Sequence, residues 1–284
     1  MNIRKITVIG AGTMGRGIAY VACAGGFETV LQDISEEMLQ KSRLQIQENL
    51  NKAVDRNLLN REDAEKALTR LAATRELSAS VRHADFIIEA IPEILEAKLE
   101  LFSKIDKICA PEVIFASNTS ALSITEMAAV TTRPQRFIGM HFFNPVHKMK
   151  LVEIVRGLET SAETIDITKA VAAQMGKETV AIKESPGFIT SRLNALIGNE
   201  AFYMLQEGVA SAEEIDKAIK LGLNHPMGPF EMVDLVGLDT RLSILKFLHQ
   251  TLGEKYRPCP LLVQYVKAGR LGRKVGRGVY EYEK

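Results

Sequence analysis

The sequence has no tryptophan and only three cysteines, Cys23, Cys109 and Cys259, which are widely spaced and form no CxxC pair. Scattered thiols of odd number support neither a disulfide framework nor a zinc cluster, and they fit a reducing compartment. Net charge is nearly absent too, with 36 Lys and Arg against 35 Asp and Glu, a formal balance of +1. That balance excludes the broad basic footprint of a nucleic-acid binder, while leaving room for a local basic patch. No stretch approaches the ~18 uninterrupted apolar residues of a membrane span. The opening MNIRKITVIGAGTMG runs directly into a strand pattern without the layout of a signal peptide, so a cytoplasmic location is expected. Internal repeats and low-complexity tracts are also missing. What is present is a globular composition, 25% charged and 46% hydrophobic, which sets aside the disordered and collagen-like classes. At ~150 residues per domain, a chain of 284 predicts two.

The first half alternates short apolar runs with longer amphipathic ones. Ile3 to Ile9 reads as a strand, Thr13 to Ala24 as a helix, and Phe27 to Gln32 as a second strand ending on Asp33. Residues 35–70 carry Leu39, Ile46, Leu50 and Val54 near helical spacing and read as a pair of helices, longer than one crossover needs. Further strands are expected at Phe86–Ile88, Val113–Phe115, Arg136–Met140, Leu151–Val155 and Thr179–Ile182, with helices over Glu93–Cys109 and Ala162–Met175. Strand, helix, strand in this order predicts an α/β doubly wound, mainly parallel sheet covered on both faces. Beyond Ser185-Pro186-Gly187 nearly everything is helical, and Ser185 is expected to cap a helix with Pro186 at its first position. The domain boundary is therefore placed near Lys183–Glu184, giving a Rossmann-like domain over 1–183 and an all-helical one over 184–284.

Gly10-Ala11-Gly12-Thr13-Met14-Gly15 has GxGxxG spacing, leaves a hydrophobic strand and opens a helix. In that setting Gly10 permits the tight turn, Gly12 lets the backbone approach a pyrophosphate, and Gly15 lets helix and strand pack closely. The helix N-terminus adds amide donors and positive dipole. Asp33, 23 positions after Gly10, is placed to accept hydrogen bonds from both ribose hydroxyls and to repel a 2′-phosphate. NAD is favoured over NADP; the competing role for Asp33 is a helix cap. A dehydrogenase acting on an alcohol also needs a group to take the hydroxyl proton, and histidine suits it. Of five histidines, His141 follows an expected strand, where ligands of doubly wound sheets collect. Glu153, on the next strand, is able to orient and stabilise such an imidazole, or equally to face solvent. Ser117-Asn118-Thr119-Ser120 follows another strand, as a functional cluster or a plain turn.

Taken together these pieces resemble the 3-hydroxyacyl-CoA dehydrogenase family, in particular its short bacterial members that act on 3-hydroxybutyryl-CoA. The resemblance covers essentially the whole chain. It rests on VIGAGTMGRGIA near the start, FIIEAIPE at 86–93, FASNTSALSIT at 115–125 and GMHFFNPVHKMKLVEIV at 139–155. It continues in SPGFITSR at 185–192, HPMGPFEMVDLVGLD at 225–239 and LGRKVGRGVYEY at 271–282. It implies a Rossmann-like domain, a helical domain carrying a homodimer contact, and reversible NAD-dependent oxidation of an (S)-3-hydroxyacyl-CoA to the 3-oxoacyl-CoA. It further implies that His141 is the base, Glu153 its carboxylate partner, and Ser120 a hydroxyl that binds substrate beside the nicotinamide. Cofactor contacts are implied at Met14 within the glycine loop and at Glu93, Lys98, Asn144 and Lys274. Their bland readings are surface charges for Glu93, Lys98 and Lys274 and a turn residue for Asn144. Asn49 and Arg56, in the helical pair after Asp33, align with CoA-contacting positions. One departure stands out: many members carry Asn where this chain has Ser191, and the shorter hydroxyl is expected to tune rate or substrate preference. Two rivals share parts of this pattern. β-Hydroxyacid dehydrogenases acting on free acids use a lysine base and do not need the helical pair, and a non-catalytic NAD sensor does not need His141 and Glu153 to couple.

Overall fold

The computed structural model describes residues 2–283. The chain separates after Glu184 into two compact units. In the first, β1 (Lys5–Ile9), α1 (Thr13–Ala24) and β2 (Glu28–Gln32) form the opening βαβ turn of the sheet. Two helices follow, α2 (Glu36–Asp55) and α3 (Arg61–Thr69), capped by the side chains of Ser35 and Asn60. The remaining elements are β3 (Leu71–Thr74), α4 (Leu77–Val81), β4 (Phe86–Glu89), α5 (Leu95–Asp106) and β5 (Ile114–Ser117). After them come α6 (Ile124–Ala129), β6 (Phe137–Phe142), β7 (Leu151–Arg156), α7 (Ala162–Gln174) and β8 (Glu178–Lys183).

These strands make one sheet in the order β3-β2-β1-β4-β5-β6-β7-β8. β1 to β6 are mutually parallel, β7 turns back antiparallel to β6, and β8 lies parallel to β7. The expected α/β doubly wound architecture is therefore present. β4, β5 and β6 are buried along their whole length, as strands covered on both faces must be. Isoleucine, valine and phenylalanine fill them because branched and aromatic side chains pack well on a pleated surface. β8, at the edge, is largely exposed and carries Glu178 and Lys183 at its ends, charges that discourage pairing with another sheet.

The second unit is helical: α8 (Thr190–Gln206), α9 (Ala212–Gly222), α10 (Pro229–Val236), α11 (Leu238–Leu252) and α12 (Pro260–Lys267). Its core gathers Phe202, Phe230, Leu245, Leu248, Tyr256 and Leu262, with the Phe202 and Phe230 rings edge-to-face at 5.2 Å. Its C-terminal segment is fastened by Asp234, which accepts the amides of Val279 and Tyr280 and the hydroxyl of Tyr282. Among the described residues no helix is long and apolar enough to cross a membrane.

One expected feature is overturned. Ser185 does not cap a helix and Pro186 is not its first residue; residues 186–189 form a turn, and α8 starts at Thr190. Gly187 (φ +72°) and Phe188 (φ +52°) both take left-handed backbone, which interrupts any helix begun at Pro186. The short β3, α4 and α6 were not anticipated either, since four to six residues give too little periodicity to stand out.

Candidate active site

The C-terminal ends of the parallel strands collect the polar residues of the first unit. At β1, Gly10 has φ +101°, and a Cβ there would sit 2.6 Å from the carbonyl oxygen of Ala90, so this turn admits only glycine. A Cβ on Gly15 would come within 1.7 Å of the Gly10 carbonyl oxygen, which is why helix and loop approach so closely. Gly12, in contrast, faces open space, and no side chain caps the N-terminus of α1 behind it. That open side belongs to a cavity of about 1140 Å³ lined by Gly10, Gly12, Met14, Asp33, Ile34 and Ile91, among others. Its volume, uncovered glycine backbone and helix N-terminus fit a dinucleotide.

Asp33 lies on the wall of this cavity with Oδ2 accepting the Ala11 amide at 2.7 Å and Oδ1 the Ser35 amide at 2.9 Å. The helix cap is Ser35, whose hydroxyl accepts the Met38 amide, so Asp33 is left to hold the glycine loop against the end of β2.

At β4 and β5 the structure brings together more than the sequence indicated. Glu89, fully buried at the end of β4, accepts Lys98 Nζ (2.6 Å) and the Ile91 amide (2.7 Å) on Oε1, and the Ser117 hydroxyl (2.6 Å) on Oε2. Burial pushes the Glu89 carboxyl upward in pKa, against the opposing pull of Lys98, Ser117 and the Ile91 amide. Lys98 is no surface charge: it is 1% exposed, and Glu93 Oε2 lies 3.3 Å from the same ammonium. Glu93 Oε1 in turn accepts the Thr119 hydroxyl (2.5 Å) and the Ser120 amide (2.8 Å), with the Ser120 hydroxyl at 3.3 Å. Ser117 and Thr119, expected only as part of a functional cluster or a plain turn, join this network, whereas Glu89 was missed by sequence reasoning. The only signal for Glu89 was an acid closing the apolar run Phe86-Ile87-Ile88.

At β6 and β7 the register places His141 directly opposite Glu153. His141 Nδ1 is 2.7 Å from Glu153 Oε2; the carboxylate is fully buried and the imidazole nearly so. Glu153 does not face solvent. The Phe143 ring lies 4.5 Å from the imidazole, and Asn118 Oδ1 accepts the Phe142 amide, tying the end of β5 to that of β6. The loop that follows carries the exposed Asn144 and is held from below by Lys177, which donates to the carbonyls of Val146 (2.5 Å) and Met149 (2.8 Å).

Asn49 and Arg56 stand seven residues apart on α2 and at its C-terminal end, hence on one side of the helix. Arg56 is exposed and close enough to His147 to act on it electrostatically. Burial first, then the charges of Lys148, Lys177 and Arg56, push the His147 pKa down. A local basic patch thus exists in a chain that is almost neutral as a whole.

The remaining expected residues belong to the helical unit. Ser191 is the second residue of α8. Lys274 holds Asp239 with contacts of 2.6 and 2.7 Å, which keep the Asp239 carboxyl low in pKa despite partial desolvation. Among the described residues no group of three or more His, Cys, Asp or Glu side chains is arranged to hold a metal ion.

Residues 5–185 match the NAD binding domain of 3-hydroxyacyl-CoA dehydrogenase, and residues 187–282 match its C-terminal domain. A probable 3-hydroxybutyryl-CoA dehydrogenase of Bacillus subtilis is 49% identical over 284 residues, covering 100% of this chain and 99% of the relative. The mitochondrial hydroxyacyl-coenzyme A dehydrogenase of Homo sapiens is 42% identical, covering 99% of this chain and 92% of its own. The crystal structure of (S)-3-hydroxybutyryl-CoA dehydrogenase from Ralstonia eutropha superposes with a TM-score of 0.97 at 44% identity, covering all of both chains. A glycine-loop cavity, a buried His–Glu pair and two family domains matched end to end lead to one assignment: the chain belongs to the 3-hydroxyacyl-CoA dehydrogenase family.

Proposed function

We propose that this protein is an NAD-dependent dehydrogenase that interconverts (S)-3-hydroxyacyl-CoA, with 3-hydroxybutyryl-CoA as the expected substrate, and 3-oxoacyl-CoA. The observation that carries the reading is the cross-strand pair of His141 and Glu153. With Nδ1 held by Glu153, Nε2 of His141 takes the 3-hydroxyl proton as the C3–O bond becomes a carbonyl. NAD, held at the glycine loop and Asp33, would supply the acceptor for the hydride from C3. Glu153 fixes the tautomer and stabilises the imidazolium that forms. Ser120 orients the reacting oxygen, and Ser191 takes the place of the amide found in many relatives, with a shorter reach. Gly10, Gly12, Met14, Gly15 and Asp33 hold the adenosine and pyrophosphate; Glu93, Asn144 and Lys274 serve the rest of the cofactor, and Lys98, buried with its ammonium between Glu89 and Glu93, acts through Glu93 and does not touch the cofactor itself.

Residues 1–183 are assigned as the NAD-binding domain, with the helical excursion over 35–70, and 184–284 as the helical dimerisation and substrate domain. Leu193 and Ile197, one helical turn apart on α8 and both exposed, support an apolar contact there. The patch of Arg56, His147 and Lys148 supports docking of a phosphorylated carrier such as CoA, with Asn49 alongside it. A cytoplasmic site of action is consistent with the three free cysteines. The test is NADH consumption with acetoacetyl-CoA, followed by a chain-length series and by free acetoacetate. The thioester is expected to be reduced and the free acid ignored. Reduction of the free acid at a similar rate would instead place the enzyme with the β-hydroxyacid dehydrogenases.

A further inference from the structure

The catalytic proposal leaves Glu89, the buried partner of Lys98, without a role. Glu89, Ser117, Thr119, Glu93 and Lys98 form a closed ring of hydrogen bonds and ion pairs across the ends of β4 and β5, with Ser120 attached through Glu93. Two carboxylates and one ammonium give it a single net negative charge. Its buried part is nearly sealed from water, since Glu89 and Lys98 are 0% and 1% exposed, whereas Glu93 opens to solvent at 39%.

The topology says what lies above it. In a doubly wound sheet the pyrophosphate sits at the glycine loop, and the two halves of the dinucleotide spread to either side along the carboxyl ends of the strands. Here β2, with Asp33, lies on one side of β1, so the adenosine goes there. The nicotinamide half must run the other way, over β4 and β5. That ring is cationic in NAD⁺ and neutral in NADH. A fixed negative charge beneath it therefore acts on the oxidised form alone.

We propose that Glu89 is a positioning residue whose buried carboxylate cancels the charge of Lys98, leaving the net negative charge of Glu93 to favour the oxidised cofactor over the reduced one. Without Glu89, the ammonium neutralises Glu93 instead, and the preference is lost. This inference rests on the NAD-dehydrogenase reading, but its test requires binding only.

The experiment compares dissociation constants for NADH, from its fluorescence, and NAD⁺, by competition, in three proteins. In Glu89→Gln, Glu93 remains 3.3 Å from the Lys98 ammonium, one negative charge is gone from the ring, and NAD⁺ should weaken by ~5-fold while NADH is unchanged. In the double variant Glu89→Gln/Lys98→Met, the buried pair leaves as a pair, the charge of Glu93 returns, and the ratio of the two constants should move back to that of the unaltered protein. A merely structural role predicts that both nucleotides weaken together and that the second change deepens the loss. Either outcome overturns the proposal. If Glu89→Gln does not fold, Glu93→Gln, at a partly exposed position, makes the same change of charge and must shift the ratio in the same direction. Loss of acetoacetyl-CoA reduction in the unaltered protein, with the ratio still shifting in the variants, would refute the substrate assignment and leave this inference standing. Failure of the unaltered protein to bind either nucleotide would refute both.

Discussion

Two buried carboxylates sit at the same edge of the sheet, each paired with a basic side chain, and different work is proposed for them. Glu153 meets His141 across an antiparallel pair of strands; Glu89 meets Lys98 across a strand-to-helix turn. The contacts are almost equal, 2.7 and 2.6 Å, and both carboxylates are fully buried. The partners differ in kind. An imidazole ordinarily titrates near ~6.5 and exchanges its proton at neutral pH, whereas an alkylammonium, ordinarily near ~10.4, stays charged. The first pair is suited to moving a proton and the second to holding a field. Similar geometry thus supports opposite functions, and the identity of the base decides which.

This contrast can be broken experimentally. His141→Gln keeps the size and a hydrogen-bonding amide but cannot accept the proton, and kcat should fall by ~10³-fold with NADH binding unaltered. Glu153→Gln keeps the hydrogen bond and removes the charge, so kcat should fall by ~10²-fold, with little change in KM for either substrate. The corresponding change in the other pair, Glu89→Gln, should spare kcat far more and act on the balance between NAD⁺ and NADH. Equal losses of kcat in the Glu153 and Glu89 variants would erase the distinction between the pairs.

Asp33→Ala, outside both pairs, removes the acceptor of the Ala11 amide and the one proposed for the ribose hydroxyls, so KM for NAD should rise by ~10-fold or more while kcat changes little. The smallest effect is expected at Ser191→Asn, a shift of ~3-fold in kcat/KM that depends on acyl length. Unchanged constants for short and long acyl-CoAs would remove Ser191 from the account.

The same contrast shows what the sequence made legible. β1, α1 and the glycine turn were readable because an apolar run, three glycines at fixed spacing and a helical period agree within 24 residues. His141 and Glu153 were readable as a pair because they lie twelve residues apart on consecutive strands, and only the register, set by folding, was needed to oppose them. Glu89 and Lys98 were opaque as a pair. Lys98 lies among several charges in Glu96-Ala97-Lys98-Leu99-Glu100, and nothing local says that it alone turns inward to a strand end. Ser185 misled for a related reason: Ser-Pro is a sound local start signal, but the left-handed backbone at Gly187 and Phe188 overrode it. Short β3 escaped because four residues, two of them exposed alanines, carry no pattern.

The central claim is that His141 accepts the hydroxyl proton while Glu153 holds it in place. Its most direct test is single-turnover oxidation of 3-hydroxybutyryl-CoA by His141→Gln, with NADH affinity measured on the same sample. The account predicts a hydride-transfer rate lower by ~10³-fold with the NADH dissociation constant unchanged. A rate within about twofold of the unaltered enzyme, or a loss matched by an equal loss of NADH binding, would contradict it.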